Sequence, residues 1–181
     1  MQDPEDLTDA DDVSDAPETG ESTDTADVPD TDDATGWPEW GSFVDNHGYL
    51  SWLDVRVESL EEGRAVLAID HDEEFENPVG SDGYDPIHGG IVATLIDTAS
   101  AFALRSTFDD PGGAGLTTTD LNVSYLRPAT GDLRAEAEVV RAGKTSGVTQ
   151  VSVTGADGEA AVGRTTYRLF RAGGGESAGG R

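Results

Sequence analysis

One long apolar helix among strand-like segments is the feature that most constrains the fold of this chain. Between residues 89 and 106, apolar side chains such as Ile91, Leu95 and Ile96 recur at i, i+3 and i+4 spacing. No other segment shows a helical pattern of this strength. A single helix cannot cover both faces of a large sheet. The pattern therefore predicts an α+β domain in which a strongly curved antiparallel sheet wraps around one central helix.

Six segments have strand character, and most are separated by short turn-forming sequences. Two of them precede the helix and are joined by Glu61-Glu62-Gly63, which indicates a hairpin. The other four follow the helix and are predicted to form a four-stranded meander. An aromatic-rich stretch, residues 37–50, is predicted to form a short helix or turn. The predicted strands are 53–57, 64–69, 116–126, 133–141, 147–154 and 160–170.

Acidic residues are concentrated at the start of the chain. Residues 1–35 contain fourteen Asp or Glu and no Lys or Arg, with almost no large apolar side chain. Such a segment cannot bury enough apolar surface to offset its ordering entropy. We therefore expect a disordered acidic tail over residues 1–35, a folded domain over 36–172 and a flexible Gly-rich tail over 173–181.

The net charge of the whole chain is −26, and its basic residues are ten Arg and one Lys. This balance argues against binding to nucleic acid or to an anionic membrane, because both need clustered positive charge. In molar salt the Debye length falls to about 3 Å and the self-repulsion is screened. The composition favours a cytoplasmic protein of a salt-accumulating microbe. The alternative is an acidic tail on an ordinary protein.

Other sequence features narrow the chemistry. The chain has no Cys, which excludes disulfides, a thiolate nucleophile and Cys-ligated metals. Three His residues on separate elements are poor evidence for a metal, so no metal site is expected, and His47 and His71 are interpreted as structural or exposed. No export signal is recognisable, and the longest mostly apolar stretch has 14 residues, too few to span a bilayer. We expect a soluble cytoplasmic protein.

The start of the predicted helix is a candidate oxyanion site. His88-Gly89-Gly90 stands at its mouth, where the first turn offers free N–H groups and a partial positive charge. Two glycines permit close approach of a ligand to the backbone. This arrangement suits a carbonyl oxygen that becomes an oxyanion. The alternative is that the glycines serve only the geometry of the turn.

Asp97 is the second unusual residue of this helix. It is the only ionisable side chain between Gly89 and Leu104. A lone carboxylate in an apolar helix costs free energy unless it has a role or a partner. Asp97 is therefore a candidate base. The alternative is that it marks the solvent side of the helix.

Four segments together resemble the hotdog-fold acyl-CoA thioesterases, in particular the phenylacetic-acid-degradation (PaaI) subgroup. The similarity covers roughly residues 40–171. The triplet His88-Gly89-Gly90, with Asp97 seven residues after Gly90, is typical of this family when it occurs together with the segment at 117–129. The segments are HGGIVATLIDTA at 88–99, TTTDLNVSYLRPA at 117–129, RAGKT at 141–145 and AVGRTTY at 161–167.

The resemblance implies a hotdog fold and hydrolysis of acyl-CoA thioesters to a free acid and coenzyme A. It assigns the thioester carbonyl to His88 and Gly89, with the Gly89 amide polarising the oxygen. Asp97 becomes the general base or nucleophile, and Thr118 helps to place the hydrolytic water. Asn77 matches an Asn that shares the site. Its spacing to His88 is longer than in the family because residues 81–85 resemble an insertion.

The resemblance also implies how substrate and subunits are arranged. Arg127, Lys144 and Thr145 match positions that hold the nucleotide end of coenzyme A, which is part of the substrate, so no separate cofactor is expected. The implied assembly is a homodimer or a dimer-of-dimers tetramer with sites at the interface. Asp97 would then face His88 and Gly89 of the other subunit. The alternatives are a non-catalytic acyl-CoA-binding hotdog protein and a hotdog hydratase or dehydratase.

Overall fold

The structure is a computed structural model, and it describes residues 40–78, 85–111, 113 and 115–170. The predicted tails, residues 1–35 and 173–181, lie outside the described residues, as does most of the apparent insertion at 81–85. Among the described residues, no helix is both long enough and apolar enough to cross a membrane.

The described residues form three helices and six strands, with a short 3-10 turn at Glu73–Phe75 between the second strand and the longest helix. The predicted aromatic stretch contains the two short helices α1 and α2. The long predicted helix is α3, which ends one residue earlier than expected. The elements are α1 Trp40–Asn46, α2 Gly48–Trp52, β1 Arg56–Glu61, β2 Arg64–Ile69, α3 Gly89–Arg105, β3 Gly115–Tyr125, β4 Leu133–Ala142, β5 Ser146–Gly155 and β6 Gly158–Phe170.

These strands make one antiparallel sheet in the order β1-β2-β4-β5-β6-β3. The predicted hairpin is confirmed, although β1 begins at Arg56 rather than at residue 53. The predicted four-stranded meander is wrong, because only β4, β5 and β6 follow one another in the sheet. Strand β3 pairs with β6 at the far edge, and the segment 126–132 returns the chain to β2. Turn chemistry indicated where most strands end, although β1 ends at Glu61 rather than at residue 57, but it did not indicate which sheet edge the next strand joins.

Helix α3 packs on all six of these strands, which confirms the predicted curved sheet around a central helix. Its side chains Leu95, Ile96 and Ala99 are fully buried. Close approach depends on glycine in the sheet. A Cβ atom at Gly163 of β6 would lie 2.5 Å from Cγ2 of Ile96. The fold is therefore α+β with the hotdog architecture, and α3 is held at a short, fixed distance from the sheet.

Candidate active site

Asp97 lies in the middle of α3 and is half-buried against strands β3 and β6. Two hydroxyl groups donate to its Oδ1 atom: Thr118 at 3.0 Å and Tyr167 at 2.6 Å. No described residue donates a hydrogen bond to Oδ2. Asp97 therefore does more than mark the solvent side of the helix, because one carboxylate oxygen is anchored and the other is available.

Tyr167 is the residue at this site that the sequence did not reveal. It lies on β6 directly opposite Thr118 of β3, and it is only 3% exposed. Burial and the nearby charge of Asp97 raise the pKa of Tyr167 well above its ordinary value, so its hydroxyl remains protonated. A signal did exist in the sequence, because β6 alternates and a Tyr on its inner face needs a polar partner for its hydroxyl.

A cavity of about 340 Å³ opens beside Asp97. One wall comes from His47 and α2, a second from α3, and Leu121 of β3 contributes to a third. A hydrogen bond of 3.0 Å between Tyr49 Oη and Thr94 Oγ1 links α2 to α3 beside the cavity. The lining residues are His47, Tyr49, Leu50, Ala93, Thr94, Asp97, Thr98 and Leu121.

The two remaining His residues occupy surface positions, as the sequence predicted. His47 is exposed, and its Nδ1 accepts the Leu50 N–H at 3.4 Å at the start of α2, although it also lines the cavity. His71 is exposed and its Nε2 lies 2.8 Å from Glu76 Oε1. Among the described residues, no group of three or more His, Asp or Glu side chains is arranged to hold a metal ion.

In the first turn of α3, hydrogen bonds to His88 take up two of the backbone N–H groups. His88 is the N-cap, and its Nδ1 accepts the Gly90 N–H at 2.9 Å, while its carbonyl accepts the Ile91 N–H at 2.9 Å. The Gly89 N–H has no partner among the described residues. A Cβ atom at Gly90 would lie 2.8 Å from His88 Nδ1. Gly90 thus serves the geometry of the turn, whereas Gly89 presents a free donor.

Tyr125 and Asn77 lie near the same turn. The Tyr125 hydroxyl donates to the Gly89 carbonyl at 2.7 Å, and its ring lies 3.2 Å from the position of a Cβ atom at Gly89. The Asn77 N–H donates to Pro86 O at 2.8 Å, and the His88 N–H donates to Phe75 O at 2.7 Å. This pairing places Asn77 close to His88 although eleven residues separate them in sequence.

Within one chain, the predicted catalytic residues form two separate groups. Asp97 and Thr118 are in contact, and His88, Gly89 and Asn77 cluster at the start of α3. Gly89 and Asp97 are eight residues apart on one helix, which corresponds to about 12 Å along its axis. One chain therefore does not bring the candidate base to the candidate oxyanion site.

The predicted coenzyme A contacts are divided in the same way. Lys144 and Thr145 are exposed in the turn before β5, whereas Arg127 Nη1 donates to Asp157 O at 2.5 Å in the turn after it. The ten residues of β5 separate these turns by roughly 30 Å. In the pairing of β5 with β6, Gly147 lies opposite Tyr167, so the turn that contains Lys144 lies toward the Asp97 group. Arg127 lies toward the Gly89 group.

Comparison with known proteins identifies the family. Residues 86–162 match the family model described as Thioesterase superfamily. Over 137 residues the chain is 50% identical to a Halobacterium salinarum protein provisionally named an esterase, an overlap that covers 72% of this chain and 89% of that protein. This chain belongs to the thioesterase superfamily. Its reaction class is thioester hydrolysis.

Relatives with more specific names support the same family. Human acyl-coenzyme A thioesterase 13 is 34% identical over 102 residues, which cover 55% of this chain and 67% of that protein. Escherichia coli acyl-coenzyme A thioesterase PaaI is 28% identical over 137 residues, covering 75% and 86%. The solved structure of E. coli PaaI matches with a TM-score of 0.61 at 25% identity and covers 71% of this chain and 88% of PaaI. The resemblance to the PaaI subgroup is confirmed.

A further solved structure, described as a protein from the thioesterase superfamily, matches with a TM-score of 0.62 at 35% identity. The match covers 72% of this chain and 95% of the other. The architecture described here therefore corresponds to nearly the whole of that solved chain.

Proposed function

We propose that this protein hydrolyses acyl-CoA thioesters to a free acid and coenzyme A, with Asp97 as general base or nucleophile. The observation that carries the proposal is the Asp97 carboxylate, whose Oδ1 is held by two hydroxyls while Oδ2 stands free beside a cavity. Relatives named acyl-coenzyme A thioesterases support this substrate class.

The proposed chemistry uses only groups of this chain and water. Asp97 either takes a proton from the attacking water or attacks the carbonyl itself. The Gly89 N–H polarises the carbonyl oxygen and stabilises the oxyanion that forms. The carbon–sulfur bond then breaks and coenzyme A leaves as a thiolate. Where water attacks, this step gives the free acid directly. Where Asp97 attacks, the acyl group stays on its carboxylate as a mixed anhydride, and a water molecule then hydrolyses this anhydride to the free acid and restores the carboxylate. We propose that no metal or separate cofactor takes part, because a thioester is already activated toward attack.

We further propose that each active site is composed of two copies of the chain. The separation of about 12 Å between Gly89 and Asp97 along α3 supports this arrangement. Strand β3 is an edge strand of the sheet and exposes Leu121 and Tyr125, which favours pairing with a second copy. A homodimer, or a dimer of such dimers, then places Asp97 of one copy opposite Gly89 of the other.

The same arrangement accounts for the coenzyme A contacts. In a composite site, Lys144 and Thr145 come from the copy that supplies Asp97, and Arg127 comes from the copy that supplies Gly89. Residues that lie near opposite ends of β5 in one chain would then contact the nucleotide of one coenzyme A molecule, because they come from different copies. Asn77 belongs to the Gly89 group, and His88 supports it by fixing the turn.

Two variants of complementary design test this proposal. Asp97→Asn keeps the size of the side chain and removes the carboxylate. Gly89→Pro removes the N–H at the first helical position, where the helix backbone tolerates proline, and His88 has a ψ of 128° that is compatible with a following proline. Because any Cβ atom at position 89 would lie 3.2 Å from the Tyr125 ring, Gly89→Ala, which adds the Cβ and keeps the N–H, is the matched control for this variant. A thiol-release assay across an acyl-CoA panel at high salt should show a loss of about 10²-fold or more for Asp97→Asn and for Gly89→Pro, each alone.

A mixture of Asp97→Asn and Gly89→Pro tests the composite site separately from the catalytic role of Asp97. Random re-association gives half heterodimers, each with one intact site of two, so activity should return to about one quarter of the parent value. Asp109→Asn, an exposed acid in the loop after α3, is the matched control and should retain parental turnover. Full activity of a folded Asp97→Asn protein would contradict the catalytic assignment. Failure of the mixture to recover would contradict the composite site alone.

A further inference from the structure

We propose that Tyr167 is a positioning residue, which holds Oδ1 of Asp97 so that Oδ2 alone is presented to the reacting groups. The inference rests on the proposed role of Asp97. It goes beyond that role because it assigns a function to a residue of β6 that lies outside the predicted catalytic set.

The geometry ties the carboxylate to its own backbone. The Tyr167 hydroxyl oxygen lies 2.6 Å from Asp97 Oδ1 and 2.6 Å from the Asp97 main-chain carbonyl oxygen. A single hydroxyl that bridges these two acceptors fixes the rotation of the Asp97 side chain. Thr118 provides only one further contact, from β3, at 3.0 Å. Removing Tyr167 would therefore leave the carboxylate held by a single hydrogen bond.

The Tyr167 ring is itself immobilised. It packs in a buried apolar cluster with Leu104, Phe108 and Leu169, and only 3% of its surface is exposed. Because burial raises the pKa of Tyr167, the hydroxyl remains a donor over the whole pH range of an activity assay. A buried phenol with a raised pKa is a poor general acid or base for a bound water. Its effect on catalysis acts through Asp97.

Few ionisable groups face Asp97 besides Tyr167. His47 and Tyr49 line the same cavity from the α1–α2 segment. His88 and Arg105 are at opposite ends of α3, nine and eight residues from Asp97 respectively. On β3, Tyr125 reaches the start of α3, where its hydroxyl donates to Gly89 O at 2.7 Å. The other ionisable residues of β3 and β6, apart from Tyr167, are exposed on the outer face of the sheet. They are Asp120, Glu159, Arg164 and Arg168.

Tyr167→Phe removes the hydroxyl and leaves the ring in place. We expect kcat to fall about tenfold, because the carboxylate loses its orientation, and KM to stay within about twofold. We also expect the acid limb of the pH profile of kcat/KM to move to higher pH, because an ionised carboxylate loses a hydrogen-bond donor. In an Asp97→Asn background, Tyr167→Phe should cause no further loss.

Thr165→Val is the matched control. Thr165 is fully buried at the preceding inner position of β6, and its hydroxyl accepts from Ser100 Oγ at 3.2 Å rather than contacting Asp97. This variant should lower the melting temperature while leaving kcat and the acid limb at their parental values. The comparison distinguishes the loss of a positioning contact from the general effect of removing a buried hydroxyl.

If Tyr167→Phe showed the same kcat and pH profile as Thr165→Val, the inference would be overturned. A large loss of thioesterase activity in Asp97→Asn would still support the proposed function in that case. Should Tyr167→Phe fail to fold, 3-fluorotyrosine at position 167 provides a second measurement. It keeps the hydroxyl and makes it a stronger donor, so the acid limb should move to lower pH. An unmoved limb, or one that moves to higher pH, would also overturn the inference.

Discussion

Gly163→Ala tests whether the distance between α3 and the sheet determines both stability and activity. The added Cβ would lie 2.5 Å from Cγ2 and 3.1 Å from Cδ1 of Ile96, a side chain that is fully buried. Carbon atoms in ordinary contact are about 3.5–4.0 Å apart. Either Ile96 or the whole helix must therefore move by about 1 Å.

The expected cost follows from two opposing effects. Overpacking of a filled core typically costs about 1–3 kcal/mol. Replacing glycine in a strand by alanine returns roughly 0.5–1 kcal/mol through the lower entropy of the unfolded chain. We expect a net loss of about 1–2 kcal/mol, which for a domain of this size lowers the melting temperature by roughly 3–8 °C. Because Asp97 follows Ile96 directly, kcat should fall about tenfold with little change in KM.

Thermal unfolding at constant high salt, with the thiol-release assay in parallel, measures both effects. Gly48→Ala is the matched control, because a Cβ atom at Gly48, the first residue of α2, meets nothing within 4 Å. That variant should be neutral or slightly stabilising. A Gly163→Ala protein as stable as the parent would refute the packing argument. A destabilised protein with parental kcat would refute the link from packing to Asp97.

Two further predictions concern charge. Lys144→Ala should raise KM for an acyl-CoA about fivefold at low salt and leave kcat nearly unchanged, as expected for an exposed phosphate contact, and equal KM values for variant and parent would contradict that role. Transfer from molar to about 0.01 M salt should dissociate the proposed dimer, because the Debye length rises from about 3 to 30 Å around a chain of net charge −26. An unchanged sedimentation coefficient would count against the salt-adapted interpretation that the composition and the Halobacterium relative favour.

The sequence predicted those parts of the fold that depend on local pattern. The long helix, the hairpin and the last three strands lie within a few residues of their predicted bounds because apolar periodicity and turn residues are local signals. The edge position of β3 was not predictable in this way. It depends on how the segment 126–132 crosses the structure, which is a property of tertiary packing.

The candidate site shows the same limit. Asp97 was conspicuous because a lone carboxylate interrupts an apolar helix, and Thr118 was found through the family resemblance. Tyr167 was missed because it stands 70 residues from Asp97, and only the pairing of β3 with β6 brings it to the carboxylate. The separation of Lys144 from Arg127 likewise becomes visible only once β5 is known to lie between them.

The curved sheet stabilises the Asp97 carboxylate within an otherwise apolar helix. A half-buried carboxylate is costly unless hydrogen-bond donors replace the water that it loses. Thr118 and Tyr167 supply those donors from neighbouring strands, and glycine at position 163 lets α3 lie close to the sheet that carries them. A substitution that moves the helix outward therefore lengthens both hydrogen bonds together. Stability and reactivity at this site should change in parallel for packing variants and separately for Tyr167→Phe, which removes one donor without moving the helix.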